Sequence, residues 1–122
     1  MVRKGFEDSA AAAAIQGLSE ERFLDDIRYA GNYVSYHAAR GEGPLRIGHD
    51  LKSCGLPDDL IAAALTQGPD WRLLAREVRI RRFGAEEPSS FAQKARQARF
   101  LQYRGFSSDH IRSALGADFD LD

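Results

Sequence analysis

Hydrophobic positions in this chain recur three or four residues apart, and the alternation that marks a β-strand is scarce. Glycine and proline stand mainly where one periodic run gives way to the next. The pattern therefore predicts an all-α fold. The predicted helices cover residues 8–19, 25–40, 44–54, 58–66, 70–83, 90–104 and 109–115, before a frayed acidic tail.

One apolar stripe on the second predicted helix indicates which side faces the core. It consists of Ile27, Ala30, Val34 and Ala38. Three tyrosines lie beside this stripe and are predicted to be half-buried core residues. Their alternative is an aromatic surface that stacks on bases or anchors a partner. These residues are Tyr29, Tyr33 and Tyr36.

A helix joint recurs at a spacing of 50 residues, in KGFEDSAAAAAI from Lys4, CGLPDDLIAAAL from Cys54 and RGFSSDHIRSAL from Arg104. In each copy, a glycine in the left-handed conformation can end one helix, and the apolar residue after it can pack back on that helix. The repeated unit is predicted to be three helices. The predicted divisions are a closing helix of a truncated first repeat, a second repeat, a third repeat and an acidic tail, at residues 1–24, 25–68, 69–116 and 117–122.

Charge changes this picture, because the net charge of -1 hides a strong gradient along the chain. Residues 1–26 contain three basic and six acidic residues, whereas residues 71–112 contain ten basic and four acidic residues. Such asymmetry indicates a local surface with its own partner preference. The arginine-rich segment is therefore the place to look for partner binding.

Within that segment, Arg72, Arg76 and Arg79 follow an i, i+4, i+7 stripe beside an apolar helix face. An anionic partner, either nucleic acid or an acidic protein surface, would match it. The alternative is a solvated face whose arginines pair with nearby glutamates or the acidic tail. The candidate contact residues are Arg72, Arg76, Arg79, Arg82, Lys94, Arg96, Arg99 and Arg104.

Signatures of catalysis are missing from the sequence. The three histidines occur singly, paired carboxylates stand at predicted helix starts, and no glycine cluster completes a phosphate-binding loop. We therefore expect a protein without catalytic residues, cofactor or metal. The single cysteine, Cys54, and the absence of an apolar run of about 18 residues favour a cytoplasmic protein that does not associate with membranes.

Two long segments of the chain resemble the RecX family of bacterial recombinase regulators. LDDIRYAGNYVSYHAARGEGPLRIGHDLKSCGL contains D-x-R-[YF]-A at residues 26–30 and G-x-G-P-x-R-I at residues 41–47. KARQARFLQYRGFSSDHIRSAL contains R-F-L-x-x-R-G-F at residues 99–106. The resemblance extends over residues 5–115.

The resemblance implies an elongated, curved molecule of three tandem three-helix repeats, of which this chain lacks the first two helices. It also implies a monomeric regulator, active in DNA repair and the SOS response, that binds the RecA recombinase. Lying in the groove of the RecA filament on DNA, such a protein limits filament growth, strand exchange, ATP hydrolysis and coprotease action. The residues alone leave two alternatives, a free-standing helical protein that binds single- or double-stranded DNA through its third repeat, and a purely structural repeat adaptor.

Overall fold

The computed structural model describes residues 12–116, with side chains from residue 20 onward. Within that span the chain forms six α-helices and no strand, which confirms the all-α prediction. They are α1 (Ala12–Ala39), α2 (Pro44–Ser53), α3 (Asp58–Thr66), α4 (Trp71–Phe83), α5 (Phe91–Arg104) and α6 (Ser108–Leu115).

The first helix is longer than the sequence predicts. α1 continues without interruption through Ser19 and Asp25, where a break between two helices was predicted. That prediction is wrong because the intervening LSEERFLDD contains no proline and several strong helix formers. Gly17 alone costs a helix only about 1 kcal/mol relative to alanine, which is too little to end it. The predicted start of the first helix near Glu7 lies outside the described residues.

The helices pack as two three-helix units, each around its own buried cluster. α1, α2 and α3 surround the first cluster, which contains Ile47 and Leu51. α4, α5 and α6 surround the second, which contains Leu101 and Phe106. Full burial of each such side chain contributes about 1.5–3 kcal/mol, so each unit has a substantial core.

Residues at the start of α4 connect the two cores. Trp71 and Leu74 pack against both clusters. The indole N–H of Trp71 also donates a hydrogen bond to the carbonyl of Leu65 at 3.0 Å. The second unit is thus attached to the last turn of α3 by both apolar packing and a hydrogen bond.

The predicted glycine joint is present at Gly55 and Gly105. Their φ angles are +92° and +103°, in the region that favours glycine. The next residue, Leu56 or Phe106, donates its N–H to the carbonyl five residues earlier, at 3.3 and 3.1 Å, and its side chain is buried. These bonds and contacts form a Schellman motif. The predicted copy at Gly5 lies outside the described residues.

The two units also meet backbone to backbone, where the first turn of α2 reaches the last turn of α5. The N–H of Gly43 donates to the carbonyl of Arg104 at 2.8 Å, and the N–H of Leu45 donates to the carbonyl of Gly105 at 2.9 Å. Amide groups at the start of one helix thereby satisfy carbonyls at the end of another, groups that have no partner inside their own helices.

The predicted inward stripe of α1 is only partly correct. Ala30, Val34 and Ala38 are buried, but Ile27 is 43% exposed. The prediction is wrong for Ile27 because the buried cluster of the first unit begins at Ala30, so the helical spacing continues beyond the part of α1 that the other helices cover. Periodicity identifies the side of a helix and not the length of its buried part.

Candidate functional site

The eight predicted contact residues do not share one helix face. Arg76 and Arg82, both on α4, stand six residues apart and therefore about 120° apart around the helix axis. Seven of the eight are exposed or half-buried. They are Arg72, Arg76, Arg82, Lys94, Arg96, Arg99 and Arg104.

Arg79 is the exception, because its side chain is only 2% exposed. Its Nη1 donates hydrogen bonds to Oε1 of Gln97 at 3.3 Å and to the carbonyl of Glu86 at 3.2 Å. Arg79 belongs to the arginine stripe that was predicted to face the surface, but it is buried, as is the adjacent Val78. Arg79 therefore ties α4 to α5 and to the segment between them, and it is not an accessible contact.

Another group of arginines meets where the ends of α1, α4 and α5 approach one another. They surround a cavity of about 310 Å³, which we call the arginine pocket. Arg40 follows the last residue of α1, and Arg104 is the last residue of α5. The pocket is lined by Arg40, Gly41, Val78, Arg81, Arg82, Phe100 and Arg104.

The sequence prediction contained two of these arginines, Arg82 and Arg104, and it did not count Arg40 or Arg81 among the contacts. The sequence did contain a signal for Arg40 and Arg81, because each stands at or near the end of a predicted helix. Basic side chains are favoured near the C-terminal end of a helix. The sequence does not show that the ends of α1, α4 and α5 lie close together in the fold.

An aromatic ring organises the pocket. The guanidinium carbons of Arg82 and Arg104 both lie 5.4 Å from the ring centroid of Phe100. Phe83 meets Phe100 edge to face, with centroids 5.4 Å apart and the planes at 90°. Each cation–π contact contributes about 0.5–1 kcal/mol at an exposed site, so the ring holds two guanidinium groups beside the same cavity.

A buried carboxylate anchors the edge of the pocket. Glu42 is 7% exposed, and its Oε2 lies 3.1 Å from Nδ1 of His37 and 3.9 Å from Nε of Arg40. Its Oε1 lies 3.7 Å from Nε of Arg46. Arg46 in turn stands 5.8 Å from the ring centroid of Tyr103. Glu42 thus holds Arg40 at the pocket while orienting a further arginine nearby.

The other three pocket arginines have no such carboxylate. Among residues 20–116, no carboxylate oxygen lies within 4.0 Å of a side-chain nitrogen of Arg81, Arg82 or Arg104. For these three arginines, pairing with neighbouring glutamates, the alternative raised by the sequence, does not occur within this span. The acidic tail lies outside the described residues. The pocket therefore carries a concentrated positive charge.

The three tyrosines of α1 differ in exposure. Tyr33 is half-buried, as predicted, and its hydroxyl donates to Oδ2 of Asp50 at 3.0 Å. Burial, together with this hydrogen bond, raises the pKa of Tyr33 to about 12. Tyr29 and Tyr36 are 47% and 61% exposed, which is closer to the alternative of an aromatic surface. The guanidinium carbon of Arg40 lies 5.6 Å from the ring centroid of Tyr36.

Two further classes of site are missing from the described residues. Among the side chains of residues 20–116, no three histidine, cysteine, aspartate or glutamate residues stand close enough together to hold a metal ion. None of the helices in that span is long and apolar enough to cross a membrane.

Comparison with known proteins identifies relatives over nearly the whole chain. The family model for the second three-helix domain of RecX matches residues 25–65, and the model for the third three-helix domain matches residues 74–115. A relative from Halorhodospira halophila named "Regulatory protein RecX" is 39% identical over 118 residues, which cover 96% of this chain and 73% of the relative. Relatives of the same name from Stenotrophomonas maltophilia and Vibrio campbellii are 40% and 38% identical, over 98% and 92% of this chain and 74% and 73% of their own lengths.

Proposed function

Because the chain belongs to the RecX family of regulatory proteins, we propose that it is a negative modulator of the RecA recombinase. It binds the filament that RecA forms on DNA and limits filament growth. Strand exchange, ATP hydrolysis and coprotease activity fall as a result. Family membership is the observation that carries this proposal, and the mode of action is binding without a catalytic step.

The surface chemistry of the second unit supports a partner that contains nucleic acid. α4 and α5 carry most of the arginines, and guanidinium groups bind phosphate and carboxylate through paired N–H donors. A filament on DNA offers both kinds of acceptor. The proposed contacts are the seven accessible predicted residues, Arg72, Arg76, Arg82, Lys94, Arg96, Arg99 and Arg104.

Several expectations accompany this proposal. The protein acts in the cytoplasm as a monomer, in an elongated and curved form. The second and third repeats occupy residues 25–68 and 69–116, and the segments 1–24 and 117–122 flank them.

Hydrolysis of ATP by RecA on single-stranded DNA tests the proposal directly. Added to preformed filaments, the chain is expected to lower the rate of hydrolysis in a saturable manner. A variant carrying Arg96→Gln and Arg99→Gln should need a roughly tenfold higher concentration for half-inhibition, equivalent to about 1.4 kcal/mol of binding free energy.

The matched control is a variant carrying Arg22→Gln and Arg28→Gln, which loses the same charge at two exposed positions on the acidic part of α1. It should inhibit as the original chain does. Unchanged hydrolysis at saturating concentrations of the original chain contradicts the proposal.

A second candidate function is a free-standing helical DNA-binding protein that acts through its third repeat. The unneutralised arginines of the pocket favour it, because non-specific binding to DNA depends on such charges. Binding to a labelled bare oligonucleotide and to preformed RecA filaments separates the two functions. The RecA proposal requires a clear preference for filaments, whereas equal affinity for bare DNA establishes the alternative.

A further inference from the structure

We propose that the arginine pocket is a binding site for phosphate groups of a polynucleotide backbone. This proposal rests on the proposed function only for the source of the polynucleotide, which would be the DNA inside the RecA filament. The site itself belongs to the isolated chain and joins the first unit, through Arg40, to the second, through Arg81, Arg82 and Arg104.

The positive charge of the four pocket arginines exceeds the partial negative charge at the C-terminal ends of the three helices. Each helix C-terminus carries about half a negative elementary charge, so three helix ends offset fewer than two of the four arginines. The end of α5 needs less still, because the N–H groups of Gly43 and Leu45 already bind its terminal carbonyls. Glu42 lies within 4.0 Å of Arg40 alone among the four. A positive surplus remains, and it favours an anion.

The donors in the pocket are available for binding. Within residues 20–116, the side-chain N–H groups of Arg81, Arg82 and Arg104 donate to no other residue. Contact with the ring of Phe100 orients two of these groups without using their N–H donors. Each guanidinium presents five donors in a rigid planar fork. The pocket therefore combines fixed orientation with unused hydrogen-bonding capacity.

The pocket has room for a phosphate group together with several water molecules. Its volume of about 310 Å³ is roughly ten times the ~30 Å³ share of one water molecule in the liquid. One wall is formed where Gly41, with a φ of +86°, approaches Val78 so closely that a Cβ would stand 3.3 Å from Cγ2 of the valine. A side chain at position 41 would therefore crowd Val78, and the positive φ also favours glycine there.

Neighbouring aromatic rings favour a nucleic-acid strand over an acidic peptide. Tyr36 is 61% exposed beside Arg40, and Tyr103 is 77% exposed beside Arg46. Aromatic platforms next to a cationic groove are typical of single-strand binding, in which bases stack while phosphates contact basic residues. A strand also presents successive phosphates, and these can engage several arginines at once.

Binding of a labelled single-stranded oligonucleotide at low salt, followed by fluorescence anisotropy, tests the site on the isolated full chain. Arg81→Gln and Arg82→Gln should each weaken binding about equally for different base sequences. Each should also lower the slope of log Kd against log salt by about one. Both positions are exposed, and matching thermal unfolding curves will verify that the fold is intact.

The control variant is Arg28→Gln, which removes the same charge about 18 Å along α1 from Arg40. Its affinity should stay within about twofold of the original, because a single exposed charge outside a site contributes little. Equal weakening by Arg28→Gln and by the pocket variants would mean that only net charge matters, and this result overturns the proposal.

The chemical class of the ligand is tested by NMR on the arginine Nε–Hε signals of the isolated chain. Pyrophosphate and the oligonucleotide should shift the signals of Arg81, Arg82 and Arg104 saturably, and a glutamate-rich peptide should not. Absence of a saturable shift with both phosphate probes overturns the proposal, as does tighter binding of the peptide. These measurements contain no RecA, so their failure is distinguishable from failure of the proposed function.

Discussion

A Cβ atom on Gly43 would stand 2.5 Å from the carbonyl carbon and oxygen of Gly105. The two glycines belong to different three-helix units, and each comes from a segment that the sequence already marks, G-x-G-P in one and R-G-F in the other. These two segments, which the sequence marks only as separate helix boundaries, therefore form the two sides of one contact.

Substitution of Gly43 by alanine should destabilise the protein. The added methyl group must displace backbone atoms of the other unit, and overpacking of this kind costs about 1–3 kcal/mol. Urea unfolding measures the change. Gly31→Ala is the control, because a Cβ there meets nothing within 4 Å, and alanine inside a helix is more stable than glycine by about 0.5–1 kcal/mol. Equal stability of Gly43→Ala and the original chain would contradict the close approach.

Gly105→Ala should cost more stability than Gly55→Ala. Both glycines have positive φ angles, so each substitution carries the left-handed penalty of about 1–2 kcal/mol. A Cβ at position 55 meets nothing within 4 Å, whereas one at position 105 would stand 2.4 Å from Cβ of Arg46. The difference between the two unfolding free energies isolates the steric contact. If the two variants were equally stable, position 105 would be restricted by conformation alone.

The buried pair of Arg79 and Gln97 should behave as one unit in a double-mutant cycle. Gln97→Leu leaves a buried guanidinium without its side-chain acceptor, and an unsatisfied group of this kind costs about 1–3 kcal/mol or more when charged. Combining Gln97→Leu with Arg79→Met should recover much of the loss, because an apolar pair then replaces a charged donor and its neutral acceptor in a buried site. Chemical denaturation of the three variants gives the coupling energy. Strict additivity would show that the pair is not coupled.

Stability should decrease on mild acidification partly through His110. Burial and then the charge of Arg72 lower the pKa of His110, while Asp109 and Asp70 act in the opposite direction. Its buried Nδ1 has no hydrogen-bond partner among the described residues. Because the folded pKa lies below the unfolded value near 6.5, the unfolded state binds the proton more readily. The stabilisation is complete above the unfolded pKa and is lost as the pH falls towards the folded pKa.

Unfolding free energies at about pH 7.5 and 5.5 lie on either side of the unfolded pKa near 6.5 and avoid the titration of most carboxylates. The decrease between them should be larger for the original chain than for His110→Gln, which has no group to titrate at that position. Equal decreases in the two proteins would show that His110 does not contribute.

Much of the fold follows from local sequence. The helix bounds at Trp71 and Phe83 were predicted because an aspartate cap and a glycine stand beside them, and Asp70 indeed accepts hydrogen bonds from the N–H groups of Arg72 and Leu73. Local signals of this type are readable because a helix end depends on a few adjacent residues. The break predicted within α1 rested only on the weak signal of Gly17, and the helix propensity of the residues that follow outweighs it.

The candidate site was less predictable for a physical reason. Helical spacing specified the side of α4 on which Arg79 lies, but its inward direction depends on α5 packing there. The arginine pocket is lined by residues about 60 positions apart in the sequence, such as Arg40 and Arg104. Spacing along one helix holds no information on which helix ends meet, so the site required the structure.

The dual packing of Trp71 and Leu74 against both cores bears on how the molecule responds to force and to ligands. Nearest-neighbour contacts of this type make adjacent repeats unfold cooperatively. Opening of one unit removes part of the interior of the other. A partner that binds only α5 is therefore expected to slow amide hydrogen exchange in α1 and α3 as well.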